Sequence, residues 1–233
     1  MLNTEQVKQL LIEKYKNNDF RVTKDGVKTI ELQGIQFVAD KDYILREPNY
    51  DYAKREIDWY ESQSLNVNDI PGGAPTIWKQ VATSLGYINS NYGWCIFGED
   101  NGKQYEHCLK SLLKDHMTRQ AVMIYTRPQM HTDWNKNGMH DFMCTHYVQC
   151  FLNEIQHPEN NVEVYELKYI VYQRSCDAVF GFNNDFQWHK YVYDKLYNDL
   201  IEAGIPMSEN KPFIEYNCGS LHVYDRHFKH LEN

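Results

Sequence analysis

DFMCTHYVQ, residues 141–149, sets a cysteine at the head of a run that mixes apolar residues with strand-forming ones. Two later stretches share its character: YQRSCDAVFGFNND at 172–185 and GSLHVYDRHF at 219–228. Each places reactive side chains beside residues that favour sheets. Taken singly, each also has an ordinary reading. A cysteine in an apolar strand is usually a small core residue. Arg174 between Gln173 and Ser175, with Asp177 following, suits a salt-bridged turn, and His222 and Tyr224 on one strand face suit a satisfied core pair. His131, His140 and His146 surround a polar loop, but their spacings match no standard metal-ligand pattern.

Outward from these stretches the chain reads as mixed rather than regularly alternating. Asn3 with Gln6 marks a helix start, and Val7, Leu10, Leu11 and Tyr15 form its apolar stripe. After a turn at Lys24-Asp25-Gly26, Ile30, Leu32, Ile35 and Phe37 alternate with polar residues, and Gly34 shifts their phase as a bulge would. Residues 51–62 read as a helix carrying Glu56 and Trp59, and Asp69 to Pro75 (DIPGGAP) as a loop too short to link domains. Residues 104–113 read as helix, 121–125 as a buried strand and 129–139 as a long loop. Phe142 to Leu152 and Val162 to Arg174 read as paired strands joined through HPENN. A helix is expected from Asn184 to about Ala203, with Val192, Leu196 and Leu200 on one face and Gly204 beyond its end. Phe213 to Tyr224 is expected to hold a strand pair. This order favours an α+β fold in a single domain, 1–233.

Composition narrows the class. The 233 residues suffice for one sizeable core, and 42% hydrophobic with 24% charged residues is ordinary for a globular chain. A formal net charge of −8 repels a polyphosphate backbone, so general nucleic-acid binding is disfavoured, although a few arginines can still hold one phosphate. The six cysteines include no CxxC pair, which points to free thiols in a reducing cytoplasm. The polar, amphipathic N-terminus reads as no signal peptide, and no apolar run is long enough to suggest a membrane span.

Considered together, the three stretches resemble the thymidylate synthase superfamily, in which a cysteine strand, a QRS-x-D segment and an H-x-Y segment build one nucleotide site. Within it, the likeness is closer to the deoxycytidylate hydroxymethylases of T-even phages. It includes GVKTIE at 26–31, FVAD at 37–40, NSNYGW at 89–94, IYTRP at 124–128, DFMCT at 141–145, VFGF-x-ND at 179–185 and SLHVY-x-RHF at 220–228. The resemblance implies a large mixed sheet forming a homodimer face, with helices on its other side. It also implies 5,10-methylenetetrahydrofolate as co-substrate, dCMP as substrate and no metal.

The same resemblance assigns roles. Cys144 corresponds to the nucleophile that adds to C6 of the pyrimidine and so activates C5. Arg174 corresponds to an arginine touching both that sulfur and the nucleotide phosphate, and a guanidinium lowers a thiol's pKa. Ser175 and Lys24 correspond to phosphate-binding positions. Arg119 corresponds to the first of two arginines lent by a partner subunit; the second is Gln120 here, a gap that Arg127 is a candidate to fill, if it is not simply a surface residue. His222 and Tyr224 correspond to the pair that bonds the sugar hydroxyl. Asp177 corresponds to the pterin-holding aspartate, Trp78 to a folate-packing tryptophan, Tyr92 to a tyrosine facing the nucleophile and Gln149 to a base-side residue. Glu56 corresponds to the glutamate that organises water and relays protons.

Asp185 stands where enzymes acting on dUMP have asparagine. Uracil offers an O4 acceptor and an N3–H donor, whereas cytosine reverses both. A carboxyl accepts from N4–H and shares a proton with N3. Two reversed buried partners support selectivity on the order of 10⁴. The alternative is that Asp185 caps the helix beginning near it. Val81, three residues after Trp78, replaces a second tryptophan of the synthases and leaves room for water, which favours a hydroxymethyl product over a methyl one. The chain ends at Asn233, where relatives carry a further tail, so either a site more open to water or weaker folate binding is expected. Outside this chemistry, a nucleotide- or RNA-binding regulator of the same fold would lack the full set of Cys144, Arg174, Asp185 and His222.

Overall fold

The computed structural model describes residues 1–22, 26–133, 136–156, 163–210 and 212–232. In chain order its elements are β1 (Leu2–Asn3), α1 (Thr4–Lys16), β2 (Arg21–Val22), β3 (Lys28–Ala39), α2 (Tyr50–Glu61), α3 (Thr76–Val81), α4 (Tyr92–Phe97) and α5 (Gln104–Lys114). There follow β4 (Val122–Ile124), α6 (Met130–Asp133), β5 (Thr145–Gln156), β6 (Glu163–Gln173), β7 (Cys176–Asp177), α7 (Gly181–Glu202) and β8 (Ile214–Tyr224). They fall into two compact units, Met1–Pro48 with Cys150–Asn233, and Asn49–Gln149.

The first unit is built on a sheet in the order β1-β3-β8-β6-β5, with β2 on β3 and β7 on β8. It is mixed: β8 runs antiparallel to β3 but parallel to β6 and β7. One sheet face buries Phe37, Tyr216, Tyr169 and Val171, while neighbours such as Gln36, Tyr172 and Asn217 stay partly or wholly exposed. Phe37 stacks on Tyr216, and Phe182 of α7 meets Tyr216 edge-on with centroids 5.2 Å apart. α1 opens with the expected capping box, Asn3 and Gln6 bonding reciprocally. Val7, Leu11 and Ile12 are its buried apolar residues, and Leu10 and Tyr15 are half-buried.

Gly34 behaves differently from the bulge expected. The β3–β8 register is unbroken from Thr29↔Tyr224 to Ala39↔Ile214, with only Gly34 and its opposite residue Gly219 left out of the pairing. No residue is added to either strand, yet the burial phase changes in both. Ile30 gives way to Ile35 and Phe37, and Tyr216 and Cys218 give way to Leu221 and Val223. Gly34 allows this by adopting φ +64, which L side chains disfavour. The result is a matched kink rather than an insertion.

In the second unit β4 pairs antiparallel with the first residues of β5, and α2, α4 and α5 surround a core containing Trp59, Tyr60, Ile96 and Leu112. Three sequence expectations change. The strand pair expected over Phe213–Tyr224 is one long strand, because its partners come from β3 and β6 rather than from a local hairpin. The loop expected over 129–139 contains α6 and a 3-10 turn at Lys136–Gly138. α7 begins at Gly181 rather than Asn184, with Phe182 already buried. The short helices α3 and α4 were not anticipated. The HPENN turn and most of the Lys24 turn lie outside the described residues. Among the described residues, no helix is long and apolar enough to cross a membrane.

α7 also carries a buried histidine. His189 is fully buried, 3.3 Å from the Tyr169 hydroxyl, and burial lowers its pKa to about 3. An unfolded histidine titrates near 6.5, so below that pH the unfolded chain takes up a proton that the folded chain refuses. Stability from this group is complete above pH 6.5 and declines as pH falls, by ~2 kcal/mol at pH 5. Urea unfolding at pH 7.5 and pH 5 should show this loss, and His189→Gln should reduce it. An identical pH dependence in wild type and variant would contradict this role for His189.

Candidate active site

The second unit carries the candidate nucleophile. Cys144 lies on the segment leading into β5 and is half-buried, while the other five cysteines are buried. Burial pushes the Cys95 thiol up to about 12. A hydrogen bond with Cys218, reinforced by burial, raises Cys176 well above the ordinary thiol range. Reactivity follows thiolate character and access, so these two are inert.

The residue after Cys144 fixes a tyrosine. Thr145 Oγ1 donates to the Tyr92 hydroxyl at 3.2 Å, and the Tyr92 ring stacks on Tyr60 with centroids 5.2 Å apart. Tyr92 begins α4, whose N-cap Asn91 accepts from Trp94 N at 2.7 Å. The helix sits directly against α2. A Cβ on Gly93 would lie 1.9 Å from the Tyr60 carbonyl oxygen, so only glycine fits.

Glu56 is buried on α2, and Trp78 of α3 donates its indole N–H to Glu56 Oε1 at 2.8 Å and to the Tyr52 hydroxyl at 3.0 Å. Tyr52, one helical turn before Glu56, donates to the same carboxylate. Burial holds the Glu56 carboxyl above the usual range, although these two donors pull it down. Burial, together with the Glu56 charge, raises Tyr52. The group is thus a protonatable carboxyl with two fixed donors. Val81 is half-buried at the end of α3, and its carbonyl accepts from His140 N at 2.8 Å.

The remaining second-unit candidates diverge. Arg119 and Gln120 are exposed. Gln149 donates its side-chain amide to the Arg119 carbonyl at 3.0 Å, so it anchors that segment. Arg127 is half-buried: it bonds Asn89 Oδ1 at 3.0 Å and stacks 4.7 Å from the Trp94 centroid. It is therefore not simply a surface residue.

The first unit gathers the other candidates around β8. Arg174 and Ser175 link β6 to β7 and are half-buried, and a Cβ on Gly219 would meet the Arg174 carbonyl oxygen at 3.0 Å. Asp177 stands opposite His222 in the β7–β8 register, and its Oδ1 accepts from Val179 N at 2.9 Å. His222 is buried, and burial lowers its pKa despite the opposing charge of Asp177. A neutral ring is therefore favoured at neutral pH. It meets Tyr224 edge-on at 4.9 Å, and Ser220 Oγ lies 3.3 Å from its Nδ1. Lys24 lies outside the described residues.

Asp185 is the fifth residue of α7, inside the helix rather than at its cap, which removes the capping alternative. The buried Gln173 donates its amide to Asp185 Oδ2 at 2.7 Å, and the Cys218 thiol lies 4.0 Å from Gln173 Oε1. Gln173, Tyr52 and Asp141 were missed as contributors. Tyr52 was detectable from its one-turn spacing to Glu56, but the other two depend on long-range contacts. Among the described residues, no group of three or more histidines, cysteines, aspartates or glutamates is placed to hold a metal.

The chain belongs to the thymidylate synthase family, whose model matches residues 4–233. Its fold is similar to that of thermostable thymidylate synthase A from Bacillus subtilis, with a TM-score of 0.67 and 19% identity over 99% of this chain and 83% of that one. It is 51% identical to the deoxycytidylate 5-hydroxymethyltransferase of Enterobacteria phage T6 over 91% of this chain and 82% of that protein. The deoxycytidylate 5-hydroxymethyltransferase of Enterobacteria phage T4 is 49% identical over the same shares.

With five thiols buried, limiting iodoacetamide should modify the native protein first at Cys144. Peptide mass mapping checks this, and comparable early labelling of any other cysteine would contradict it.

Proposed function

We propose that this chain is a deoxycytidylate 5-hydroxymethyltransferase, using 5,10-methylenetetrahydrofolate and water to convert dCMP into 5-hydroxymethyl-dCMP, with tetrahydrofolate released. The observation that carries the base assignment is Asp185, an acid inside α7 with one oxygen held by Gln173. The phage relatives are named deoxycytidylate 5-hydroxymethyltransferases, which supports the same substrate and product.

The proposed roles follow from the chemistry. The Cys144 thiolate adds to C6, and electron density moves to C5, which forms the new carbon–carbon bond. The folate supplies the one-carbon unit. Loss of the C5 proton expels tetrahydrofolate: the bond from the transferred carbon to the folate nitrogen breaks, its electron pair leaving with that nitrogen, and an exocyclic methylene remains on the ring. Water adds to that carbon, and the Cys144–C6 bond breaks to regenerate the thiolate. Asp185 accepts from the cytosine amino group and shares a proton with N3, relieving charge as the thiol adds. Glu56, as a carboxyl of raised pKa, holds and passes protons. Arg174, Ser175, Lys24 and Arg119 neutralise the phosphate, with Arg119 lent from the second copy of a homodimer. His222 and Tyr224 take the sugar hydroxyl, and Gln149 flanks the base.

The residues present fit a reduced folate. Asp177 is a half-exposed carboxylate able to accept from pterin N–H groups, and Trp78 offers a half-buried flat ring. Tyr92 orients the group at C5, and Val81, smaller than tryptophan, leaves room for water. We further propose that residues 1–233 act as a single catalytic domain in a host bacterial cytoplasm, with no nucleic-acid or membrane partner.

Product analysis tests this directly. Turnover with dCMP should add the elements of CH₂O and produce no rise in dihydrofolate absorbance; such a rise would show methyl transfer and sink the hydroxymethyl reading. Asp185→Asn should lower kcat/KM for dCMP about 100-fold and improve the relative use of dUMP. Unchanged dCMP preference would contradict base reading by Asp185.

A further inference from the structure

Asp141 is almost fully buried three residues before Cys144, and its carboxylate accepts from three donors. Asn89 N and Ser90 N both donate to Oδ2 at 2.7 Å, and Ser90 Oγ donates to Oδ1 at 2.6 Å. The Asn89 side chain returns to the Asp141 carbonyl at 3.3 Å. Arg127, bonded to Asn89 Oδ1, completes the cluster. None of these groups has a role in the chemistry above, yet a buried carboxylate is costly unless fully bonded.

Its position explains the expense. Three cross-ties bind the segment from His140 to Thr145 to the rest of the second unit. His140 N bonds the Val81 carbonyl, Asp141 holds Asn89 and Ser90, and Thr145 holds Tyr92. Cys144 lies between the last two. Neither Met143 nor Cys144 lies in a strand, since β5 starts only at Thr145. The Asp141 tie therefore holds the chain on the upstream side of the sulfur, ahead of the strand.

We propose that Asp141 is a positioning residue for the nucleophile. It fixes the backbone ahead of Cys144 to the Asn89–Ser90 segment, and so sets Cys144 in register with Tyr92 on one side and Val81 on the other. Two backbone N–H groups on one oxygen and a hydroxyl on the other require three acceptor sites, which a carboxylate has. The role is geometric. Asparagine should largely replace it, accepting both N–H groups at its oxygen and donating its amide to Ser90 Oγ after the hydroxyl turns. The inference rests on Cys144 as the nucleophile.

Steady-state kinetics with dCMP and methylenetetrahydrofolate, beside second-order rates of Cys144 alkylation, test it. Asp141→Ala should lower kcat and Cys144 alkylation together, about 30-fold, with KM for dCMP within about threefold, because misplacing a reacting group costs rate more than binding. Asp141→Asn should keep both within about threefold of wild type. Ser90→Ala removes one tie and should lower kcat about threefold, so it provides the reading if Asp141→Ala does not fold. A folded Asp141→Ala, or failing that Ser90→Ala, with wild-type kcat and alkylation overturns the proposal. So does an Asp141→Asn variant as damaged as Asp141→Ala. Cys144→Ser is the separate control: if it turns over normally, the nucleophile assignment itself falls, whatever the Asp141 variants do.

Discussion

The antiparallel pairing of β3 with β8 is the constraint on which the first unit depends. It runs the length of both strands and is interrupted only at Gly34 and Gly219. Beyond the kink, β8 presents His222 and Tyr224, and β7 adds to it in parallel so that Asp177 falls opposite His222. The same kink brings Gly219 close under the Arg174 carbonyl. A side chain at either glycine would strain the backbone or crowd that carbonyl. One ladder thus places the proposed phosphate, sugar and pterin contacts relative to one another.

The second unit relies on buried polar bonds more than on a ladder. Glu56, Tyr52 and Trp78 share one carboxylate, and Asp141 gathers two backbone amides and a hydroxyl. Each missing partner in such a network costs ~1–3 kcal/mol. These networks therefore specify a geometry, and they fall around Cys144, Tyr92 and Glu56. Burial also separates the thiols by reactivity: Cys95 is pushed up to about 12 and Cys176 is raised by its hydrogen bond with Cys218, while Cys144 alone is half-exposed.

Much of this was legible in the sequence because its signals are local. The Asn3–Gln6 capping box, the alternation in β3 and the apolar stripe of α7 each depend on neighbours within a turn or two. The strand at 214–224 was misread because its partners are distant. The matched kink was taken for a bulge because one strand cannot reveal that its partner changes phase as well. Asp185 stood out in the sequence as the proposed reader of the base, but its helical position and its bond to Gln173 were not legible there. Asp141 sat in a quoted motif without a role, since nothing near it in the chain announces Asn89 and Ser90. The contacts of Arg127 with Asn89 and Trp94 are equally long-range and were not legible either.

Specificity and reactivity meet in one claim, that a thiolate on Cys144 adds to C6 of a cytosine read by Asp185. Addition at C6 labilises the C5 hydrogen, whatever becomes of the transferred carbon. Tritium release from [5-³H]dCMP with methylenetetrahydrofolate is therefore the most direct test. The account predicts rapid release by the wild-type enzyme, release at least ~100-fold slower with Cys144→Ser, and little release from [5-³H]dUMP. No release from dCMP by folded protein, or faster release from dUMP than from dCMP, would contradict it.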